Sequence, residues 1–147
     1  MSLGLPPATA SDIVRGVCRL LAAHGHGTLA EITLRTGRRV DVMALAPDGT
    51  LTVVEVKSSL QDYRTDRKWR DYLEFCDRFF FAVGEAFPKD ILPPEPGLII
   101  ADRFGAVILR DAPATPLAPA RRKALIQKFA LTGSQRLTRL LDPECGV

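Results

Sequence analysis

Between residues 11 and 24 the apolar side chains Ile13, Val14, Val17, Cys18, Leu20 and Leu21 return at helical intervals, with Arg15 and Arg19 facing away. That spacing predicts an amphipathic helix. Ser11 is placed to cap it, Asp12 suits its positive end, and Gly25 and Gly27 stop it. The pattern then changes to short β-branched runs, Leu29–Arg35, Arg39–Ala46 and Thr50–Lys57, separated by Thr36-Gly37 and by Pro47-Asp48-Gly49. Such runs between glycine-containing turns predict an antiparallel meander. The second and third runs are apolar on both faces, which places them centrally with cover on both sides.

A polar segment, Ser58 to Thr65, leads into a predicted helix from Asp66 to Phe75, with Trp69, Tyr72, Leu73 and Cys76 as its inner stripe. "RFFFAV" reads as a buried strand, reached from the third strand by a crossover expected to be right-handed. Residues 84–96 hold Pro88, Pro93, Pro94 and Pro96 and predict a loop. "GLIIAD" and "AVILRD" form a second hairpin, and a last helix runs from Pro119 to Leu141, with Gly133 as a point where it could bend or split. The expected fold is α/β: a mixed β-sheet made of an antiparallel meander, a crossover strand and a further hairpin, flanked by helices. One domain spans 11–141, after a flexible lead of 1–10 and before a tail of 142–147.

A length of 147 residues suits one domain with a real core. No apolar stretch approaches the roughly 18 residues of a membrane span, and the N-terminus lacks the pattern of a signal peptide. The cytoplasm is therefore the expected compartment, with no membrane partner. Cys18, Cys76 and Cys145 are odd in number and far apart, against both a disulfide framework and a zinc site. His24 and His26 invite a metal reading, but a helix stopping at glycine is the commoner setting for imidazole. The net charge of +3 is unevenly spread: residues 119–140 carry Arg121, Arg122, Lys123, Lys128, Arg136 and Arg139 and no acid. Concentrated positive charge suits an anionic partner, although a solvated helix face is the commoner explanation.

Chemistry enters with "VVEVKSSL", where Glu55 and Lys57 interrupt a run bound for the interior. Buried charge is costly unless it is paired or holds a metal. A three-residue Pro47-Asp48-Gly49 loop, with glycine in the left-handed position, would make paired residue numbers sum to 96. Asp41 then lies opposite Glu55, and Lys57 points to the same face as Glu55. Opposed carboxylates repel unless something positive lies between them, either Lys57 or a divalent metal. A slip of one residue would send Asp41 to the other face. On these three residues alone, a structural ion pair with a spare acid competes evenly with a functional site.

An acid on one core strand followed by Glu-x-Lys on the next resembles the PD-(D/E)XK nuclease superfamily, here as "RRVDVMAL" and "VVEVKSS". More narrowly, "GRRVDVMAL", "VEVKSSLQDYRTDRKW", "FCDRFFFAV", "GLIIADRFGAVILR" and "ARRKALIQKFA" resemble the MmcB-like group of bacterial DNA repair proteins, from the first helix to the last. The resemblance implies a restriction-endonuclease-like fold and a part in DNA repair. Cleavage is a separate question, since the superfamily includes members that only bind. Val40 stands where proline gives the motif its name. The accessory acid often found on the first helix has only Asp12 to supply it. Glu31 is the available substitute, sharing a face with Asp41 only if the turn at Thr36-Gly37 has an odd number of loop residues.

What the resemblance implies for the site is concrete. Asp41, Glu55 and the Val56 carbonyl would hold Mg²⁺ or Mn²⁺, and Lys57 would orient the attacking water or steady the phosphoryl oxygens. Arg64, Arg67 and Lys68 would approach the DNA backbone, as would Arg121, Lys128 and Arg139, aligned if the last helix is unbroken. Trp69 could stack on a base, but suits the core better. Expected partners are DNA and other repair proteins. Many nucleases of this class act as homodimers. The competing reading is a DNA-binding or scaffolding module without catalysis.

Overall fold

The computed structural model describes residues 6–65 and 68–146, the side chains of Asp62, Arg64 and Thr65 excepted. Helix α1 (Ala10–Ala23) starts at Thr9, not at Ser11: the Thr9 hydroxyl accepts the Asp12 amide and the Asp12 carboxylate accepts the Thr9 amide, both at 3.1 Å. This reciprocal box satisfies two amides that a helix start leaves open. At the other end His24 Nδ1 bonds the Leu20 carbonyl at 2.8 Å, the helix-end role expected for it.

Strands β1 (Gly27–Thr33), β2 (Arg39–Leu45) and β3 (Leu51–Lys57) form the meander. Strand β4 (Arg78–Val83) runs parallel to β3, β5 (Gly97–Ala101) parallel to β4, and β6 (Ala106–Arg110) antiparallel to β5. Among the described residues the result is an open sheet of six strands in chain order. The β2–β3 register has the expected sum of 96, from Leu45 opposite Leu51 to Val42 opposite Val54, with Gly49 at φ +91° in the turn. A side chain at that φ would be strained.

Helix α1 covers one face with Ile13, Val17 and Leu21, against Val42, Val54, Phe80 and Ile99. The other face, with Met43, Leu51, Val53 and Phe81, lies under a 3₁₀ segment and helix α3 (Pro119–Leu141). Where one helix from Asp66 to Phe75 was expected, the chain instead forms α2 (Leu60–Thr65) and then a 3₁₀ helix at Trp69–Phe75. Trp69, Tyr72 and Phe75 are the buried residues of that segment, and Leu73, expected inside, is 44% exposed. Every third residue eclipses in a 3₁₀ helix. The aromatic spacing of three thus stacks a column on Phe79 and Phe81, with Trp69 5.6 Å from Phe79. Burial pushes the neighbouring Cys76 thiol up to about 12, in keeping with its expected core place.

Gly133 does not split α3, which is continuous from Pro119 to Leu141. It lies over Leu29, and a Cβ there would meet the Leu29 side chain at an ordinary 3.5 Å. Gly16 is the opposite case, since a Cβ would run into the backbone carbonyls of Asp102 and Gly105. Gly133→Ala is therefore expected to stabilise by up to about 1 kcal/mol through helix propensity. Gly16→Ala should destabilise by roughly 1–3 kcal/mol through overpacking. Urea titration of both variants checks the opposite signs.

A buried carboxylate ties α3 to the sheet. Asp77 accepts the Leu51 and Leu117 amides at 2.8 Å each, and the Arg122 guanidinium at 2.6 and 2.5 Å. Burial alone would raise the Asp77 carboxyl. The bonds from Arg122, Leu51 and Leu117, with the Arg122 charge, hold it instead at about 2.

Candidate functional site

A cleft of about 400 Å³ opens beside the first turn of α1, lined by Ala10, Ser11, Val14, Ala30, Glu31, Asp41, Glu55, Val56 and Lys57. Three strands and one helix end thus bring together what the sequence holds 26 positions apart, from Glu31 to Lys57. The described β2–β3 pairing stops at Val42 and Val54. One step further, side chains bridge the two strands. The Asp41 amide donates to Glu55 Oε1 at 3.2 Å, and the Val56 amide donates to Asp41 Oδ2 at 2.8 Å. Each carboxylate reaches across to the other strand, so both acids sit at one place. Hydrogen bonds from amides to a carboxylate are charge-assisted.

Glu55 and Lys57 are each 4% exposed, whereas Asp41 is half-buried and Glu31 exposed. A buried lysine beside two acids is the arrangement in which opposed carboxylates can coexist. The β1–β2 register, with Thr33 opposite Arg39 and Ala30 opposite Val42, has the odd loop named as a condition for Glu31, but the pairing skips Glu31 and Asp41. The Glu31 carboxylate lies 4.0 Å from Arg39. Among the described residues no group of three or more His, Cys, Asp or Glu is gathered to hold a metal ion. The residues here that could hold one are Asp41 and Glu55, with the Val56 carbonyl as a third oxygen donor. That fits Mg²⁺, which is usually held by one or two carboxylates with waters completing the shell.

The remaining expected residues are scattered. Lys68 is exposed just before the 3₁₀ helix. Arg67 and the Arg64 side chain lie outside the described residues. Trp69 is 6% exposed within the aromatic column, with Arg70 4.6 Å from its ring centre; this is the core position, and it leaves little of the ring for a base. On the unbroken α3, Lys128 and Arg139 are exposed, while Arg121 lies 4.6 Å over the Phe75 ring. Two other basic residues of α3 serve the fold: Arg122 binds Asp77, and Arg136 binds the carbonyls of Ala30 and Glu31. Ser11, read from sequence as a cap, lines the cleft; once Thr9 and Asp12 are seen as a capping pair, Ser11 is left for it.

Fold and cleft together define an α/β protein whose open mixed sheet carries two acids and a lysine at the β2–β3 step. Residues 4–144 match the family model described as MmcB-like, DNA repair protein MmcB-like, and the chain belongs to that family. It is also similar to the solved structure of the SPO1766 protein of unknown function from Silicibacter pomeroyi, at 51% identity and a TM-score of 0.90, over 99% of this chain and 98% of that one. No curated protein matches it. Among the described residues no helix is long and apolar enough to cross a membrane.

Proposed function

We propose that this DNA repair family member is a divalent-metal-dependent DNA phosphodiester hydrolase with a PD-(D/E)XK arrangement on a restriction-endonuclease-like sheet. The observation that carries the reading is the crossed bonding of Asp41 and Glu55, which fixes two acids at one point of a cleft that Lys57 also lines. Asp41, Glu55 and the Val56 carbonyl would hold Mg²⁺ or Mn²⁺. When bound, the ion supplies Lewis acidity to a phosphoryl oxygen and lowers the pKa of a coordinated water. The Val56 and Asp41 amides orient the two carboxylates, which keeps their lone pairs from swinging into solvent. Lys57 places a compact positive charge where negative charge grows on the phosphate. Its stem is buried, so the ammonium is held close to one position. Exposed Lys123, Lys128 and Arg139 on α3 offer sequence-independent phosphate contacts, whose strength should fall with salt.

The test is incubation of plasmid, single-stranded and branched DNA with the protein in Mg²⁺ or Mn²⁺. Cleavage that EDTA stops and that Asp41→Ala and Glu55→Ala abolish is the expected result. Cleavage surviving in both variants would locate the activity elsewhere. The second reading, a DNA-binding or scaffolding module, draws on the two-carboxylate donor set, which forms no larger acidic cluster among the described residues. It predicts DNA retention without cleavage under every metal condition.

A further inference from the structure

Glu31 has φ +55° in the middle of β1, a left-handed backbone that non-glycine residues adopt at a cost. Something must hold it there. Ala30 pairs with Val42 and Ile32 with Val40, but the register between them lacks a Glu31–Asp41 pair. The same step turns β2 over: Val42 belongs to the core under α1, whereas Val40, two residues away, belongs to the core under α3. A regular strand would keep both on one side. At this turnover the Asp41 amide bonds Glu55, and the Asp41 carboxylate reaches Val56.

We propose that Arg136 is a positioning residue for the acid pair: its guanidinium holds the kink in β1 beside which β2 turns over and Asp41 makes its crossed bonds with Glu55 and Val56. The Arg136 Nη1 atom donates to the Ala30 carbonyl and Nη2 to the Glu31 carbonyl, the latter at 2.8 Å. In a regular strand successive carbonyls point to opposite sides, so one planar fork can take both only where the chain is turned. The packing of α3 sets the reach. Phe129 lies near Gly27, Gly133 near Leu29, and Arg136 arrives at Ala30 and Glu31 one turn later. The functional meaning of the clamp rests on the metal-site reading above, but its geometric claim does not.

The experiment combines Arg136→Ala, Glu31→Gly and their double variant in the full chain. It reads amide hydrogen exchange at Asp41 and Val56 by NMR, and Mn²⁺ affinity by calorimetry. Arg136→Ala should speed exchange of both amides at least tenfold relative to the rest of the sheet, and weaken Mn²⁺ by about tenfold. Glycine adopts the kink without help, so the double variant should return to the level of Glu31→Gly alone. Arg136→Lys, which keeps the charge but not the fork, should show an intermediate loss and serves if the alanine variant does not fold. Unchanged exchange in the Arg136 variants, or no return with glycine, overturns the proposal. If the wild type takes no Mn²⁺, the metal reading fails and the exchange measurements alone decide the clamp.

Discussion

Asp77→Ala is expected to destabilise the protein by roughly 3–5 kcal/mol, the usual penalty for removing one partner of a buried ion pair. Three partners lose their acceptor at once: the Arg122 guanidinium and the amides of Leu51 and Leu117. A loss of that size is a large share of a domain's stability of about 5–15 kcal/mol, so the variant should show a much lower urea midpoint. Asp77→Asn keeps an acceptor and loses the charge, and should fall between the two. The wild type also carries a pH signature. Asp77 titrates at about 2 in the folded protein, against an ordinary 3.8. A depressed carboxyl contributes stability that is fully present above the unfolded value. The contribution is lost as pH falls through the folded one, here about 2 kcal/mol between pH 4 and pH 2. Urea midpoints measured from pH 6 to pH 2 should therefore fall more steeply for the wild type than for Asp77→Asn. Parallel curves would show that Asp77 is not the group responsible.

Lys57→Met is expected to reduce metal-dependent cleavage by about 10²–10³-fold, the scale of losing one oriented electrostatic contact in a transition state. Methionine fills the space of the lysine stem, so the packing around this 4% exposed residue survives. The two acids remain to bind Mn²⁺, and calorimetry should still detect it. Asp41→Asn should act differently. It halves the carboxylate pair and should lose both Mn²⁺ binding and cleavage, although asparagine can still accept the Val56 amide. The contrast between the two variants separates holding the ion from stabilising the phosphate. Equal Mn²⁺ loss in both would mean that Lys57 only keeps the acids together. Neutral behaviour of both would favour the scaffold reading.

The site was partly legible because a hairpin turn is local. Pro47-Asp48-Gly49 fixes the β2–β3 register, which brings Asp41 level with Glu55, through the conformations its own residues prefer. The spacing around Trp69, Tyr72 and Phe75 is equally visible, but with Leu73 beside it the same stretch also fits an α-helical stripe, and only packing selects the 3₁₀ form. Arg136 left no such trace. Among six basic residues on one helix, nothing in the sequence separates Arg136, which binds two successive carbonyls of β1, from those that face solvent. Asp77 is hidden for a similar reason, as its four donors come from two distant segments, at Leu51 and at Leu117 to Arg122.

What the sequence determined by itself is the first and last helices, the six strands, the order of the meander and the register that brings Asp41 level with Glu55, because periodicity and turn chemistry act over a few residues. The tertiary structure decided the turnover of β1 and β2 at Glu31 and Asp41, the depth of Lys57 and the division of labour along α3. Those depend on which carbonyls and carboxylates a packed helix brings within hydrogen-bonding distance, and packing joins residues about a hundred positions apart.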